Sequence, residues 1–249
     1  VIRFCIRLRP VTDIEPWGSD NPHLHWFGLT DGWYWIELEG HELLRYSDQT
    51  VRRWGQAGDE VPHPYVDYQV VRLWEDIIAL TPAVLEPVPA QCQDLIRSDR
   101  RDWTDIATPE ASAAAAWYDD HVQYMSYLHN GPHIRWWRTV RDNDDHVTIA
   151  WLHQPTSEIE FAGARQGERT VSTTAFIAAV RELDRSLLTA MDERITQLER
   201  DGPPPGVSID LAQLRAEHLD RRSWLERSLV ADRDTDWAAI RAGTAQLLG

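Results

Sequence analysis

The sequence predicts an α+β protein: antiparallel sheet or sheets from two βββα-like units, followed by a C-terminal helical hairpin and a short helix. Three observations predict it. Segments of period-two alternation recur at the N-terminus and after residue 132, and stretches with apolar residues three and four apart follow residues 65 and 172. Two short motifs, Pro22-His-Leu-His-Trp26 and Pro132-His-Ile-Arg-Trp136, share the pattern Pro-His-apolar-x-Trp and open corresponding series of three strands and a helix, as a duplication would. The length of 249 residues suits one large domain or two small ones. The natural divisions are 1–90, 91–201 and 202–249, which could equally form one compact domain.

Residues 2–9 alternate Ile2, Phe4, Ile6 and Leu8 with Arg3, Cys5, Arg7 and Arg9, the pattern of a half-buried strand. Residues 10–23, with three prolines, read as loop. Residues 24–36 (LHWFGLTDGWYWI) read as one tight β-hairpin, because Asp31-Gly32 supplies the positive φ angles of a two-residue type I′ turn between two apolar runs. In that register Leu29, Tyr34, Phe27, Ile36, His25 and Leu38 share a core face. Trp26, Thr30, Trp33, Trp35 and Glu37 share the other with Gly28, whose missing side chain leaves room for the Trp35 indole. Three indoles beside an acid make an amphipathic surface, and the arginines of the first strand could stack on it. Trp26, Thr30, Asp31, Trp33, Trp35 and Glu37 are therefore the candidate binding residues, unless a helix or loop covers them.

After Gly40 a third strand is expected over 42–46, then a short helix capped by Ser47 and ending before Gly55, and a Gly, Asp and Pro-rich loop to residue 64. Val66, Val70, Leu73, Trp74 and Ile77 predict a helix over 65–80, with Thr81-Pro82 as its stop. Residues 87–108 read as a connector. Thr108-Pro109-Glu110 starts a helix running to about Leu128, and Asn130-Gly-Pro132 stops it. Strands are expected over 133–141, 146–154 and 158–163, the first two joined by an acidic turn at 142–145. Ser172 or Thr173 caps the longest helix, which buries Phe176, Val180, Leu183, Leu187, Met191, Ile195 and Leu198 and ends near Arg200. Gly202-Pro-Pro-Pro-Gly206 breaks it, Asp210 with Gln213 resembles a capping box, and helices over 210–230 and 235–248 follow.

All 25 basic residues are arginine, against 40 acids, for a net charge of -15. With an initial valine suggesting a GTG start, this composition points to a GC-rich bacterial genome. Neither half of the chain is basic, with seven arginines against 14 acids up to residue 90 and 18 against 26 beyond it, so nucleic-acid binding is disfavoured. An acidic chain is instead steered toward a basic protein. No apolar run approaches the roughly 20 residues of a spanning helix, and the N-terminus reads as a strand rather than a signal peptide, so a cytoplasmic protein without membrane attachment is expected. Cys5 and Cys92 are too few for a disulfide framework and read as reduced thiols.

Catalytic signals are sparse. His23 and His25 share a strand face and could ligate a metal with His41 or His63, but thiols and a helical His-x-x-x-His are both missing, so structural histidines are the better reading. Asp142, Asp144 and Asp145 lack the glycine and distal glutamate of a calcium loop. Asp119-Asp120-His121 would point in different directions on a helix. There is no Gly-x-Ser-x-Gly elbow, phosphate-binding glycine loop or dinucleotide fingerprint, and no cofactor is implied.

The hairpin segment, His41-Glu-Leu-Leu-Arg-Tyr46, Pro64-Tyr-Val-Asp-Tyr68, Leu73-Trp-Glu-Asp76 and Pro132-His-Ile-Arg-Trp136 together resemble a bacterial family known only as a domain of unknown function. The resemblance runs through most of the chain. It implies a single-family protein rather than a fusion and assigns no residue a role. The expected function is a non-catalytic binding module, such as an immunity or inhibitor protein that caps a basic toxin or enzyme. The alternative is a hydrolase-like enzyme whose polar groups converge near His23, His25, Asp31 and Asp67.

Overall fold

The computed structural model describes residues 1–57, 62–99, 103, 106–142, 144–156 and 158–249. Parts of the expected loop before residue 64, of the 87–108 connector and of the 142–145 turn lie outside the described residues. The architecture is α+β with two four-stranded antiparallel sheets.

The first sheet contains β1 (Ile2–Leu8), β2 (Asp31–Leu38), β3 (His41–Leu43) and β4 (Val66–Gln69). β2 is its centre, paired along one edge with β1 and along the other with β4 at its start and β3 at its end. This replaces the expected hairpin at Asp31-Gly32. Gly32 is a mid-sheet residue between Leu8 and Tyr68. A Cβ there would stand 2.2 Å from the Arg7 carbonyl oxygen, so the glycine serves a close backbone approach rather than a turn. The tight hairpin lies further on, where Glu39 and Gly40, with φ of 50° and 85°, join Leu38 to His41.

Residues 24–30 are not a strand either. Leu29 N–H donates to the His25 carbonyl and Thr30 N–H to that of Phe27, winding the chain into a short 3-10 turn. Tertiary packing drives this conformation: Trp26 is wholly buried, with its ring beside Trp74 and stacked on His218, and the Arg221 guanidinium lies 4.3 Å from it.

α1 (Asp48–Ala57) begins where Ser47 Oγ accepts from Thr50 N–H, and it passes through Gly55. α2 (Val70–Leu85) is shorter at its start than expected, because Val66–Gln69 joins the sheet, and longer at its end. Pro82 does not stop it. The proline lacks the N–H that would reach the Ile78 carbonyl, and the Ser228 hydroxyl donates to that oxygen instead at 2.6 Å.

The connector forms α3 (Gln93–Arg97), and α4 (Pro109–Asp119) starts at the Thr108 cap, whose Oγ accepts from Ala111 N–H. α4 ends well before Leu128 because Val122–Gln123 leaves it to form β5 on the edge of the second sheet. That sheet runs β5, β6 (His133–Arg141), β7 (Asp144–Leu152) and β8 (Gln166–Ser172). The expected strand at 158–163 is absent; Phe161 makes an isolated bridge to Tyr46 and stacks on its ring at 4.9 Å. β8 takes its place with a mostly polar sequence, and Gly167 leaves room for the Trp151 indole opposite it. The two Pro-His motifs occupy different structures: Pro132–Trp136 leads into β6, whereas residues 22–26 are non-strand.

α5 (Thr173–Asp201) starts at Ser172, whose Oγ accepts from Ala175 N–H. It buries all seven apolar residues its spacing marks. α6 (Leu211–Arg221), capped by Asp210, folds back on α5, and α7 (Trp224–Leu229) and α8 (Trp237–Leu248) complete the chain. No helix among the described residues is long and apolar enough to cross a membrane.

The larger core joins both sheets to α2, α5 and α6: Phe4 and Phe176 each lie 5.9 Å from the Trp136 ring. A second core occupies the other face of β6 and β7, where Trp137 and Ala150 pack with residues of α3, α4 and α8. Alternation along β6 feeds both, with Ile134 and Trp136 to one side and Trp137 to the other.

Candidate functional site

β2 alternates strictly. Gly32, Tyr34, Ile36 and Leu38 are buried, and Asp31, Trp33, Trp35 and Glu37 are half-buried on the opposite, outer face. β1 brings Arg7 opposite Trp33, Cys5 opposite Trp35 and Arg3 opposite Glu37, while β4 brings Asp67 opposite Trp33. The result is a layer of rings and guanidinium groups on one sheet face.

Two indoles form its centre. Trp35 stacks on Tyr65 at 4.0 Å with 12° between planes, and Trp33 stacks on His63 at 4.7 Å. The Arg9 guanidinium lies 4.5 Å from the centre of the Trp33 ring and that of Arg7 5.7 Å, both within cation–π range. Arg9 is held there by Asp31 Oδ2, which accepts from Nε at 2.8 Å, and by both oxygens of Asp67 at 2.7 Å. Burial opposes the charge on Arg9, but hydrogen bonds and attraction from Asp67 and Asp31 outweigh it and raise its pKa. Arg3 donates from Nε to Glu37 at 2.7 Å, and Trp35 Nε1 donates to the same carboxylate at 3.3 Å. Burial raises the Cys5 thiol to about 11, aided by the Glu37 charge, so it stays protonated and unreactive at neutral pH. Behind the layer, Arg194 of α5 donates to the carbonyls of Leu29 and Arg9, anchoring the entry to β2.

Of the six candidate binding residues, the structure therefore brings four together: Asp31, Trp33, Trp35 and Glu37. Trp26 belongs to the core. Thr30 is buried too, where its hydroxyl donates to the Phe27 carbonyl and accepts weakly from Val71 N–H at 3.4 Å. The missing hairpin explains both losses, since residues 24–30 no longer run beside 33–38. His63 and Tyr65 were not expected on this face, because the chain to residue 64 reads as loop and 65–80 as a helix. Val66 is buried between exposed or half-buried neighbours, an alternation too short to stand out in the sequence.

The histidines of the alternative reading lie elsewhere. His23 and His25, with ring centres 6.2 Å apart, border a cavity of about 280 Å³ with Trp26, Ser208, Asp210 and Glu217. Their surroundings are aromatic and structural: Trp17 packs edge-on to His25 at 4.6 Å, and His23 Nδ1 sits 3.1 Å from the Asn21 carbonyl. Asp31 and Asp67 are bound to Arg9 and do not converge with them. Among the described residues, no three His, Cys, Asp or Glu side chains are grouped to hold a metal ion. His41 is instead 2.7 Å from an Arg169 nitrogen.

A family model described as "Family of unknown function (DUF5984)" matches residues 2–243. The chain belongs to this family. The match spans both sheets and reaches into α8, so the outer face and all of the larger core lie within the family's extent. Neither a curated protein nor a solved structure matches the chain.

Proposed function

We propose that this member of the family is a cytoplasmic, non-catalytic binding module, of the immunity or inhibitor kind, that caps a basic protein with the outer face of its first sheet. The observation that carries the reading is the stack of half-buried Trp33 and Trp35 with His63, Tyr65, Arg7 and Arg9. Tryptophan, tyrosine and arginine are the residues enriched at interface hot spots: the two aromatics cover much area with few internal rotations, and arginine adds a planar guanidinium that pairs and stacks. Their rotations are restricted before any partner arrives, since Arg9 is tied to two carboxylates and Trp35 to a ring and an acid. A preorganised surface loses less side-chain entropy on association.

Charge supplies the partner's chemistry. Arg3 and Arg9 are paired within the face, and the chain as a whole carries -15, so its long-range field attracts a cationic protein. The test is site-specific crosslinking in the source cell, with a photoreactive amino acid replacing either Arg7 on the face or the exposed Leu219 on α6. One basic protein crosslinked from position 7 and absent from position 219 is the expected result. No crosslink at position 7, or the same proteins at both, contradicts the reading.

A further inference from the structure

A cleft that shares no lining residue with the outer face of the first sheet has the makings of a separate small-molecule site. It has a volume of about 230 Å³ and is lined by Asp76, Ala79 and Leu80 of α2, Asp119 at the end of α4 with Asp120 just after it, Val122 and Gln123 of β5, Tyr124, and Arg233 from the segment before α8. At roughly 30 Å³ per water, that space suits a molecule of only a few heavy atoms.

Gln123 is the informative residue. It is 1% exposed, and neither its Oε1 nor its Nε2 has a hydrogen-bond partner among the described residues. A buried primary amide left unpaired is costly, so a residue kept in this state beside a cavity points to a group that completes it. The other polar groups define that group's charge. Three carboxylates, Asp76, Asp119 and Asp120, line the cleft with one guanidinium, Arg233, which is already bound to Asp120 at 2.7 Å and close to Glu86 at 3.3 Å. Asp119 accepts from Trp103 Nε1 at 3.2 Å, and Asp76 accepts from the Tyr127 hydroxyl at 2.7 Å. Both retain free acceptor capacity, since a carboxylate takes several hydrogen bonds.

The geometry points to a binding site for a small organic cation, a primary ammonium or guanidinium with an amide or hydroxyl group a few bonds away. The cationic end would be taken by Asp76 and Asp119, and the neighbouring amide or hydroxyl by Gln123. Tyr124, 53% exposed, also lines the cleft, and its hydroxyl hydrogen-bonds to Asp119. Burial raises the Asp76 carboxyl to about 7, against the lowering effect of Tyr127 and Arg72 and with Glu75 adding to the rise, so a bound cation also favours its ionised form.

Calorimetry with the full chain and two probes, glycinamide and ethanolamine, tests this, with acetamide as the uncharged control. The expected result is saturable binding of at least one amine, no binding of acetamide, and at least tenfold weaker binding in both Asp76→Asn and Gln123→Met. Leu219→Ala, at an exposed α6 position outside the cleft lining, should leave the affinity unchanged. Gln123→Met removes an unpaired amide and should fold at least as stably as the parent, so its loss of binding reports on the site. Absence of saturable binding by either amine, equal binding in the two cleft variants, or binding of magnesium in place of the amines would overturn the assignment.

Discussion

The two sheets treat their tryptophans differently. In the second, Trp136 and Trp137 project from adjacent positions of β6 into opposite cores, and both are wholly buried. Helices α3, α4 and α8 supply the second of those cores. In the first sheet, the inner face meets α2 and α5 in the same way, but Trp33 and Trp35 on the outer face stay half-buried under rings and guanidinium groups. Alternation sorts side chains onto faces in both cases; whether a face becomes core depends on which helices the rest of the chain brings to it.

The largest expected effect lies on the covered side. Trp137→Ala should cost about 3–5 kcal/mol, the loss of a buried indole plus the cavity it leaves, and should abolish cooperative unfolding near physiological temperature. Trp33→Ala should cost only about 1–2 kcal/mol, since part of its surface already meets solvent and its cation–π contacts are modest. Urea denaturation of both variants measures the contrast directly. Equal losses would mean that the two faces are not distinct.

Acid should act on the covered layer through His121. Burial lowers His121 from the ordinary imidazole value of 6.5 to about 4, and its Nδ1 lies 2.8 Å from the Trp117 carbonyl of α4. Between these values the unfolded chain takes up a proton that the folded chain refuses, so stability is lost as pH falls from about 6.5 toward 4, by roughly 3 kcal/mol in all. Asp76, raised to about 7, acts in the opposite sense, with stability falling as pH rises from about 4 to 7. His121→Gln should therefore unmask the Asp76 effect and make the protein relatively more stable at pH 5 than at pH 7. Thermal melts across that range check it, and an unchanged pH profile would count against a buried neutral imidazole.

Helix apposition gives a further contrast. A Cβ at Gly243 of α8 would stand 2.0 Å from the Glu110 carbonyl oxygen of α4, so Gly243→Ala must push the two helices apart. The expected cost is about 1–3 kcal/mol, with increased amide exchange in α4 and α8 and little change in β1 or β2. At the open face, Arg9→Lys keeps the charge but loses the fork that spans Asp31 and Asp67. The stability loss there should be within about 1 kcal/mol and should shrink in high salt.

How much of this was legible in the sequence depends on where each signal came from. β1, the caps at Thr108, Ser172 and Asp210, and the apolar stripe of α5 are local patterns, and each formed where its residues indicated. Asp31-Gly32 misled because glycine has two uses, and only the neighbouring strands reveal that Gly32 answers to a crowded carbonyl. β8 was hidden because an edge strand needs few apolar residues: only Val171 of its seven residues is buried. Pro82 looked like a stop, since nothing local announces a hydroxyl 146 positions later that satisfies the freed carbonyl. Of the candidate face, the β2 residues and the stacking arginines were readable from alternation, whereas Trp26 and Thr30 were assigned to it through the hairpin that does not form.

The most direct test of the open face is to measure capture and unfolding together for Trp33→Ala, using the protein crosslinked from position 7. The account predicts at least tenfold weaker capture with a single cooperative transition retained. Full-strength capture by a folded Trp33→Ala protein, or a collapse of the fold comparable to that of Trp137→Ala, would contradict it.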